Sequence, residues 1–395
     1  MVVADSPYNH IEPLKAMRSI KSNLIINDCT LREGEQAALA NFSLKQKLEI
    51  AGRLIELGIH QLQVGYPGRS QIDQEVIRAI RNENKKICIE TIAQIFKEDW
   101  MEQIDAALSC QPDILDLIYP SSDLRLRYVL NISRDDMMKR VVEAIQYAKG
   151  KGAIIRYAPV DTTRTEFSFL KKLFNVVLEA GAERISVADT AGATLPQAMA
   201  YLVREIVHNF PVPVHVHCHN DFGLALANTL AAVEAGATIV DATVNGLGER
   251  AGNVCIEELV VALKVFYNLD LEIDTKAIGG LSRDVARMIN VNIPPHKPLL
   301  GELAFAHKLD AHVWGVLVHS QVYEVIPPEM VSNVRRIPIG TYTGDFTIRM
   351  KLKELNLEAS DEIVKKLLGR LQDRIRLQGG YFSDQELVEL YHQVT

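Results

Sequence analysis

Arg32 and Glu33 stand side by side just after the short apolar run Leu24–Ile26, within Asn27-Asp28-Cys29-Thr30-Leu31-Arg32-Glu33-Gly34-Glu35-Gln36. A fixed cation and a hard oxygen ligand are thus placed where a buried strand would end, and Gly34 permits a tight turn there. Taken alone, such a pair is a salt-bridged surface turn. A second polar stretch, His217-Cys218-His219-Asn220-Asp221, also ends an apolar run. Residues two apart on a strand share a face, so His215, His217 and His219 lie opposite Val212, Val214 and Val216. Two imidazoles and one carboxylate suit a divalent cation with positions left open for substrate, and zinc, manganese and magnesium all fit. The bland alternative is a set of buried histidines bonded to backbone carbonyls. His215 sits deeper and reads as a core residue.

These side chains need elements that bring them together. From Asn23 to about Asp270, apolar or β-branched runs alternate with amphipathic segments. The expected strands are 24–26, 61–64, 87–89, 114–118, 154–157, 184–187, 212–216 and 239–243. Ser43 with Gln46 and Thr194 with Gln197 fit helix-starting capping boxes. Glycines at 58, 181 and 236 stand where helices would stop before strands. Eight strands with crossover helices in about 250 residues match a (β/α)8 TIM barrel. A doubly wound open sheet is the runner-up, but no G-x-G-x-x-G follows the first strand. In a barrel, Glu33 ends strand one and His217 and His219 end strand seven, on the face that carries chemistry. After strand eight, residues 244–253 read Val-Asn-Gly-Leu-Gly-Glu-Arg-Ala-Gly-Asn. This loop can approach a ligand closely. Asn253 could give an amide oxygen to the metal or only brace the loop, and Glu249–Arg250 reads as a structural pair at the rim.

The expected organisation is an N-terminal extension (1–22), the barrel (23–270), a proline-rich linker with short helices (271–325) and a small C-terminal subdomain (326–395). Ser360 and Ser383 mark two helix starts in the last part. With 48% hydrophobic and 24% charged residues, the chain has the composition of a globular protein. A net charge of -7 and the lack of a basic run argue against nucleic acid. No apolar run reaches the ~18 residues of a membrane span. The five scattered cysteines and the absence of an apolar leader point to the cytoplasm.

Leu31–Gln36, His217–Asp221 and Gly246–Asn253 together resemble the DRE-TIM metallolyase superfamily. Within it they are similar to the acetyl-CoA-dependent homocitrate synthase, 2-isopropylmalate synthase and citramalate synthase group, over residues 23–345. The resemblance implies a Claisen condensation of acetyl-CoA with a 2-oxo acid on a divalent metal, followed by thioester hydrolysis. Glu33, His217, His219 and Asn253 would be metal residues. Arg32 would hold the 2-oxo acid oxygen, and Gln36 and Thr190 would line the substrate pocket. His312, in Ala306-His307-Lys308-Leu309-Asp310-Ala311-His312, would be the catalytic base, helped by Tyr323. The segment carrying it would reach into a partner's barrel, giving a swapped homodimer. The same face also serves carbon–carbon lyases of the superfamily, and a non-catalytic binding homologue is a further alternative. The His312 segment speaks against the first, and the complete Arg32, Glu33, His217, His219 set against the second.

Three departures from the pattern matter. Arg-Glu replaces the commoner Arg-Asp at 32–33, as in homocitrate synthases. Val160 stands where the family has a glutamate that pairs the catalytic histidine; Asp161 or another carboxylate substitutes, or His312 works unassisted, or the chemistry has shifted. Asp310-Ala311 replaces the usual Gly-Ile. The resemblance also places Leu126 where homocitrate synthases carry an arginine for the distal carboxylate of 2-oxoglutarate, and where relatives using apolar 2-oxo acids have leucine. This gives a lean towards an apolar or aromatic substrate side chain, with Arg125 or Arg127 keeping 2-oxoglutarate as the alternative.

Overall fold

The computed structural model describes residues 5–18, 20–21, 23–83 and 86–395. The expected N-terminal extension lies partly outside the described residues; within them it forms a short turn, Pro7–His10, and a helix, Glu12–Met17. The chain divides into two compact units, the larger spanning Pro7–Asn292 and the smaller comprising Ile293–Thr395 with Asp5 and Ser6.

The larger unit is a closed parallel barrel of eight strands in chain order. They are β1 Ile25–Asp28, β2 Gln61–Gln63, β3 Cys88–Gln94, β4 Ile114–Pro120, β5 Ile155–Val160, β6 Arg184–Asp189, β7 Val214–Cys218 and β8 Ile239–Ala242. β1 closes on β8 with Asn27 opposite Asp241. Helices cover the outside. Ser43 starts the helix Leu44–Glu56 with both bonds of a capping box, and that helix buries Ile50, Ala51 and Leu54 against the strands. Each large aliphatic side chain so buried contributes about 1.5–3 kcal/mol.

Several strands run further than apolar run length suggests. β1 continues through Asn27 and Asp28, β3 through Glu90 to Gln94, and β5 through Val160. For β1 and β3 the cause is the barrel interior, which is polar here. Asn27, Gln61, Gln63, Glu90, Asp116, Arg156, Ser186, His215 and Asp241 are all buried, while Val214 and Val216 face the apolar shell under the helices. A run of hydrophobic residues therefore ends before the strand does.

One helix start differs. The helix Pro196–Asn209 has Leu195 at its N-cap and Pro196 in its first turn. The Thr194 hydroxyl instead donates to Asp189 at 3.0 Å. Proline needs no backbone donor at that position, so the helix begins without the expected capping box.

The smaller unit has its own core of Ile339, Ile348, Leu352, Val364, Leu367, Leu371, Phe382 and Leu387. Ser360 and Ser383 cap the helices Asp361–Gln378 and Asp384–Val394, as their sequence positions imply. Asp310 explains one departure. Its carboxylate accepts the Gly344 N–H (3.0 Å), the Thr347 N–H (2.9 Å) and the Thr347 hydroxyl (2.6 Å), capping the helix Asp345–Glu354 from another segment.

Candidate active site

The ends of β1, β7 and β8 bring Glu33, His217 and His219 together. Glu33 Oε2 lies 3.8 Å from His217 Nε2, and Glu33 Oε1 lies 3.8 Å from His219 Nε2. The two Nε2 atoms are 3.3 Å apart. His217 Nδ1 lies 3.2 Å from Asp241 Oδ2, and His219 Nδ1 lies 3.2 Å from the Gly252 carbonyl. A carbonyl and a carboxylate only accept, so each ring carries a proton on Nδ1. Burial is the main cause holding the Asp241 carboxyl up, but the Arg156 cation and the neighbouring His215 and His217 imidazoles outweigh it and keep it well below its usual range. Two lone-pair nitrogens and a carboxylate are thus aimed at one point. Acceptors at such separations repel unless a cation sits among them, so this donor set fits a divalent metal, with the outer ring nitrogens anchored as metal-binding histidines require.

Protonation at neutral pH agrees with this. Burial, with the neighbouring His217, pushes His219 down to about 4. Burial would raise Glu33, but Arg32, the two imidazoles and the Glu249 N–H bring it down to about 2. The loop after β8 contributes that N–H, which donates to Glu33 Oε1 at 3.1 Å. Two glycines permit the approach. A Cβ on Gly248 would lie 3.0 Å from Glu33 Oε1, and one on Gly252, at φ +90°, would lie 2.0 Å from the Gly246 carbonyl. Asn253 turns its Nδ2 towards His217 Nε2 at 3.0 Å, while its Oδ1 accepts the Val254 N–H. It lies within bonding distance of the metal residues and also braces the loop.

Arg32 is held by Gln63, whose Oε1 accepts its Nε at 2.6 Å, and by an ion pair to Glu33. With Glu33, His217 and His219 it faces a cavity of about 320 Å³ whose wall also includes Gln36, Tyr66, Thr190, Arg125 and Asp116. Gln36 donates to the Tyr66 hydroxyl at 3.2 Å, and Thr190 Oγ1 accepts the Asp161 N–H at 2.8 Å. Aliphatic wall comes from Ile92, Ile118, Ala158, Val160 and Ala188.

Two expectations are corrected. Leu126 is buried in the apolar core and does not line this cavity, whereas Arg125 does. The backbone forms a wide π-type turn over Leu126–Leu130, and Leu126 faces inward from it. At the rim, Arg250 pairs with Asp221 rather than Glu249, through bonds of 2.7 and 2.9 Å, and donates to the Thr190 carbonyl. Asp161, a possible stand-in for the family glutamate, has φ +71° and is fully buried. Its carboxylate is taken by Arg164 at 2.8 and 2.9 Å and by the Ser122 hydroxyl.

Beneath the site lies a charged group that motif reading passed over. Arg156 bonds Glu90 Oε1 at 2.7 Å, Asp241 Oδ2 at 2.8 Å and the Ser186 hydroxyl at 2.7 Å, with Asp116 at 3.7 Å. Each of these charges is a lone ionisable residue inside an otherwise apolar strand run, and that is a signal available in the sequence. His215 is fully buried beside Asp241 at 3.9 Å, and burial lowers it to about 4. In the smaller unit His312 stacks on Tyr323, with ring centroids 4.0 Å apart and planes at 20°.

The family model described as HMGL-like matches residues 23–285. The chain belongs to that family, within the DRE-TIM superfamily. A second model, homocitrate synthase post-HMGL domain-like, matches residues 299–376. Among curated relatives, homocitrate synthase AksA of Methanopyrus kandleri is 38% identical over 98% of this chain and 96% of its own length. A probable 2-isopropylmalate synthase of the same organism is 40% identical over 88% of this chain and 69% of its own. The (R)-citramalate synthase CimA of Methanocaldococcus jannaschii is 40% identical over 94% and 74%. The hydroxymethylglutaryl-CoA lyase of Pseudomonas aeruginosa shares the fold, with a TM-score of 0.62 and 18% identity over 69% of this chain and 95% of its own. Among the described residues no helix is long and apolar enough to cross a membrane.

Proposed function

We propose that the chain is an acyltransferase that condenses acetyl-CoA with a 2-oxo acid to a 2-substituted malate. The observation that carries this reading is the convergence of two Nε2 lone pairs and the Glu33 carboxylate beside the Arg32 guanidinium. Glu33, His217 and His219, with Asn253 adjacent, would hold a divalent zinc, manganese or magnesium ion, which when bound supplies Lewis-acid polarisation of the 2-oxo carbonyl. Arg32 stabilises the alkoxide that forms as the new carbon–carbon bond closes. Gln36 and Thr190 hold the 2-oxo acid carboxylate end. His312, oriented by Tyr323, takes the proton from the acetyl methyl. Hydrolysis of the thioester then frees CoA.

His312 belongs to the smaller unit, where Leu309, Trp314, Leu317, Val318 and Val322 expose apolar surface around it. Such a patch favours docking on a second copy, the swapped homodimer that the family resemblance implies. The aliphatic wall favours an apolar 2-oxo acid such as 2-oxoisovalerate. A second reading, a dicarboxylic 2-oxo acid such as 2-oxoglutarate, is favoured by Arg125. Its guanidinium lies 3.8 Å from a carboxylate that Arg164 already pairs.

The test is thiol release from acetyl-CoA by purified, metal-supplemented protein with 2-oxoisovalerate, pyruvate, phenylpyruvate and 2-oxoglutarate. Release that needs both a 2-oxo acid and the metal is the expected result. No release with any of the four overturns the reading.

A further inference from the structure

In the smaller unit Glu324 follows Tyr323 directly and is 5% exposed. Arg335 clamps its carboxylate with two bonds, Nε to Oε1 at 2.8 Å and Nη2 to Oε2 at 2.5 Å. The same carboxylate meets His307 Nε2 at 3.1 Å. Burial would raise Glu324, but the Arg335 and His307 donors outweigh it and hold its carboxyl below the usual range. An ionised carboxylate only accepts, so His307 Nε2 carries a proton and donates it to Glu324. The backbone fixes the arrangement from the other side, since the His307 N–H donates to the Arg336 carbonyl at 2.9 Å.

Tyr323 lies between two imidazoles. Its ring stacks on His312 at 4.0 Å and is 6.2 Å from the His307 ring. Its place is defined sterically as well, because a Cβ on Gly315 would lie 2.8 Å from Tyr323 Cε2. In the barrel, the wall position at 160 is an aliphatic valine and Asp161 is consumed by Arg164. Neither offers a carboxylate to an imidazole.

We propose that Glu324 is the positioning carboxylate for proton transfer in this chain. Clamped by Arg335, it fixes the His307 tautomer and holds the adjoining Tyr323 flat against His312, so the smaller unit carries its own orienting acid. The assignment rests on the role given to His312 above. Glu324 acts through Tyr323 and His307; it touches no reacting atom.

Two measurements test it. Nitrogen NMR of histidine-labelled protein reads the His307 tautomer whether or not the protein turns over. Nε2–H with a bare Nδ1 is expected, and its loss in Glu324→Gln. In the thiol-release assay Glu324→Gln should lower kcat about 10–100-fold with both KM values within about twofold, the size of effect seen when an orienting partner is removed. His307→Ala leaves the Glu324–Arg335 pair intact and guards against misfolding of the first variant. It should show a similar kcat loss that added imidazole partly restores, which a merely structural role would not give. A His307 ring protonated on Nδ1, or a His307→Ala enzyme with unchanged kcat, overturns the proposal. If the unmodified protein releases no CoA, the condensing function fails instead, and the NMR tautomer still decides whether Glu324 holds His307.

Discussion

Glu33, His217 and His219 are 2%, 8% and 6% exposed, whereas Tyr323 is 43% and Trp314 56% exposed. The barrel mouth holds its reactive groups in a finished electrostatic setting, with Asp241, the Gly252 carbonyl, Gln63 and the Glu249 N–H behind His217, His219, Arg32 and Glu33. On the His312 helix, His312 stacks on Tyr323, which packs against Gly315, yet the surface around it carries exposed apolar side chains. The difference teaches that the two halves have separate tasks. Under the proposed function the barrel would bind and polarise a small acid, while the helix would supply a proton-handling group that becomes useful where a second surface covers it.

The largest effects should come from taking one half away at a time. His217→Ala removes a residue proposed to hold the metal and leaves Asp241 facing a void, so both metal content and turnover should be lost. His312→Ala should keep stoichiometric metal and lose about 10²–10⁴-fold in turnover, the usual share of a general base. If the helix acts on a partner's barrel, co-expressing the two inactive variants restores one intact site in each mixed dimer, or about a quarter of normal activity. Metal analysis and thiol release read both points. Retained metal in His217→Ala would break the barrel half of the comparison, and absent complementation between folded dimeric variants would break the other.

A middle-sized effect concerns selectivity. Arg125 and Arg164 share one carboxylate, Asp161, and only Arg164 is within hydrogen-bond distance of it. Arg125 therefore brings to the cavity wall positive charge that Asp161, already paired with Arg164, neutralises only in part. Arg125→Leu should lower kcat/KM for 2-oxoglutarate by about tenfold to a hundredfold, the worth of one hydrogen-bonded charge pair of about 1.5–3 kcal/mol. It should leave 2-oxoisovalerate within about threefold. Equal losses for both acids would mean that Arg125 shapes the turn and does not read the substrate.

Much of this was legible from residue order. Eight alternating runs give the barrel, and the positions of Glu33, His217 and His219 at run ends give the mouth, because period-two alternation separates His215 and His217 from Val214 and Val216 whatever the tertiary detail. What stayed hidden depends on side chains that reverse the usual inside–outside rule. β1 and β3 outrun their apolar stretches because their inner residues meet other polar groups across the lumen. Leu126 lies in the apolar core and Arg125 on the cavity wall, because which side chain of this turn faces the cavity depends on packing that residue order does not show. Arg250 finds Asp221 instead of its neighbour Glu249 because φ +59° at Arg250 points the side chain across the mouth.

The smallest effect is on stability and concerns the floor beneath the metal position. One guanidinium, Arg156, serves three carboxylates, those of Glu90, Asp241 and Asp116. Glu90 also accepts from Asn27 and Gln61, and Asp241 from Asn27, but Asp116 Oδ1 is buried without a hydrogen bond. Burial, opposed by Arg156 and reinforced by Glu90 and Asp241, raises Asp116 to about 8. The folded protein thus keeps a proton that the unfolded chain, with a pKa of 3.8, releases. Stability from this group is full below the unfolded value and is lost as pH rises towards 8. Asp116→Asn stays neutral throughout, so its melting temperature should gain on the unmodified protein progressively from pH 5 to pH 8, by about 2–4 °C per kcal/mol relieved. Calorimetry at four or five pH values gives the answer. A melting temperature that falls in Asp116→Asn, most at high pH, would mean that Asp116 is ionised and that Arg156 needs its third carboxylate.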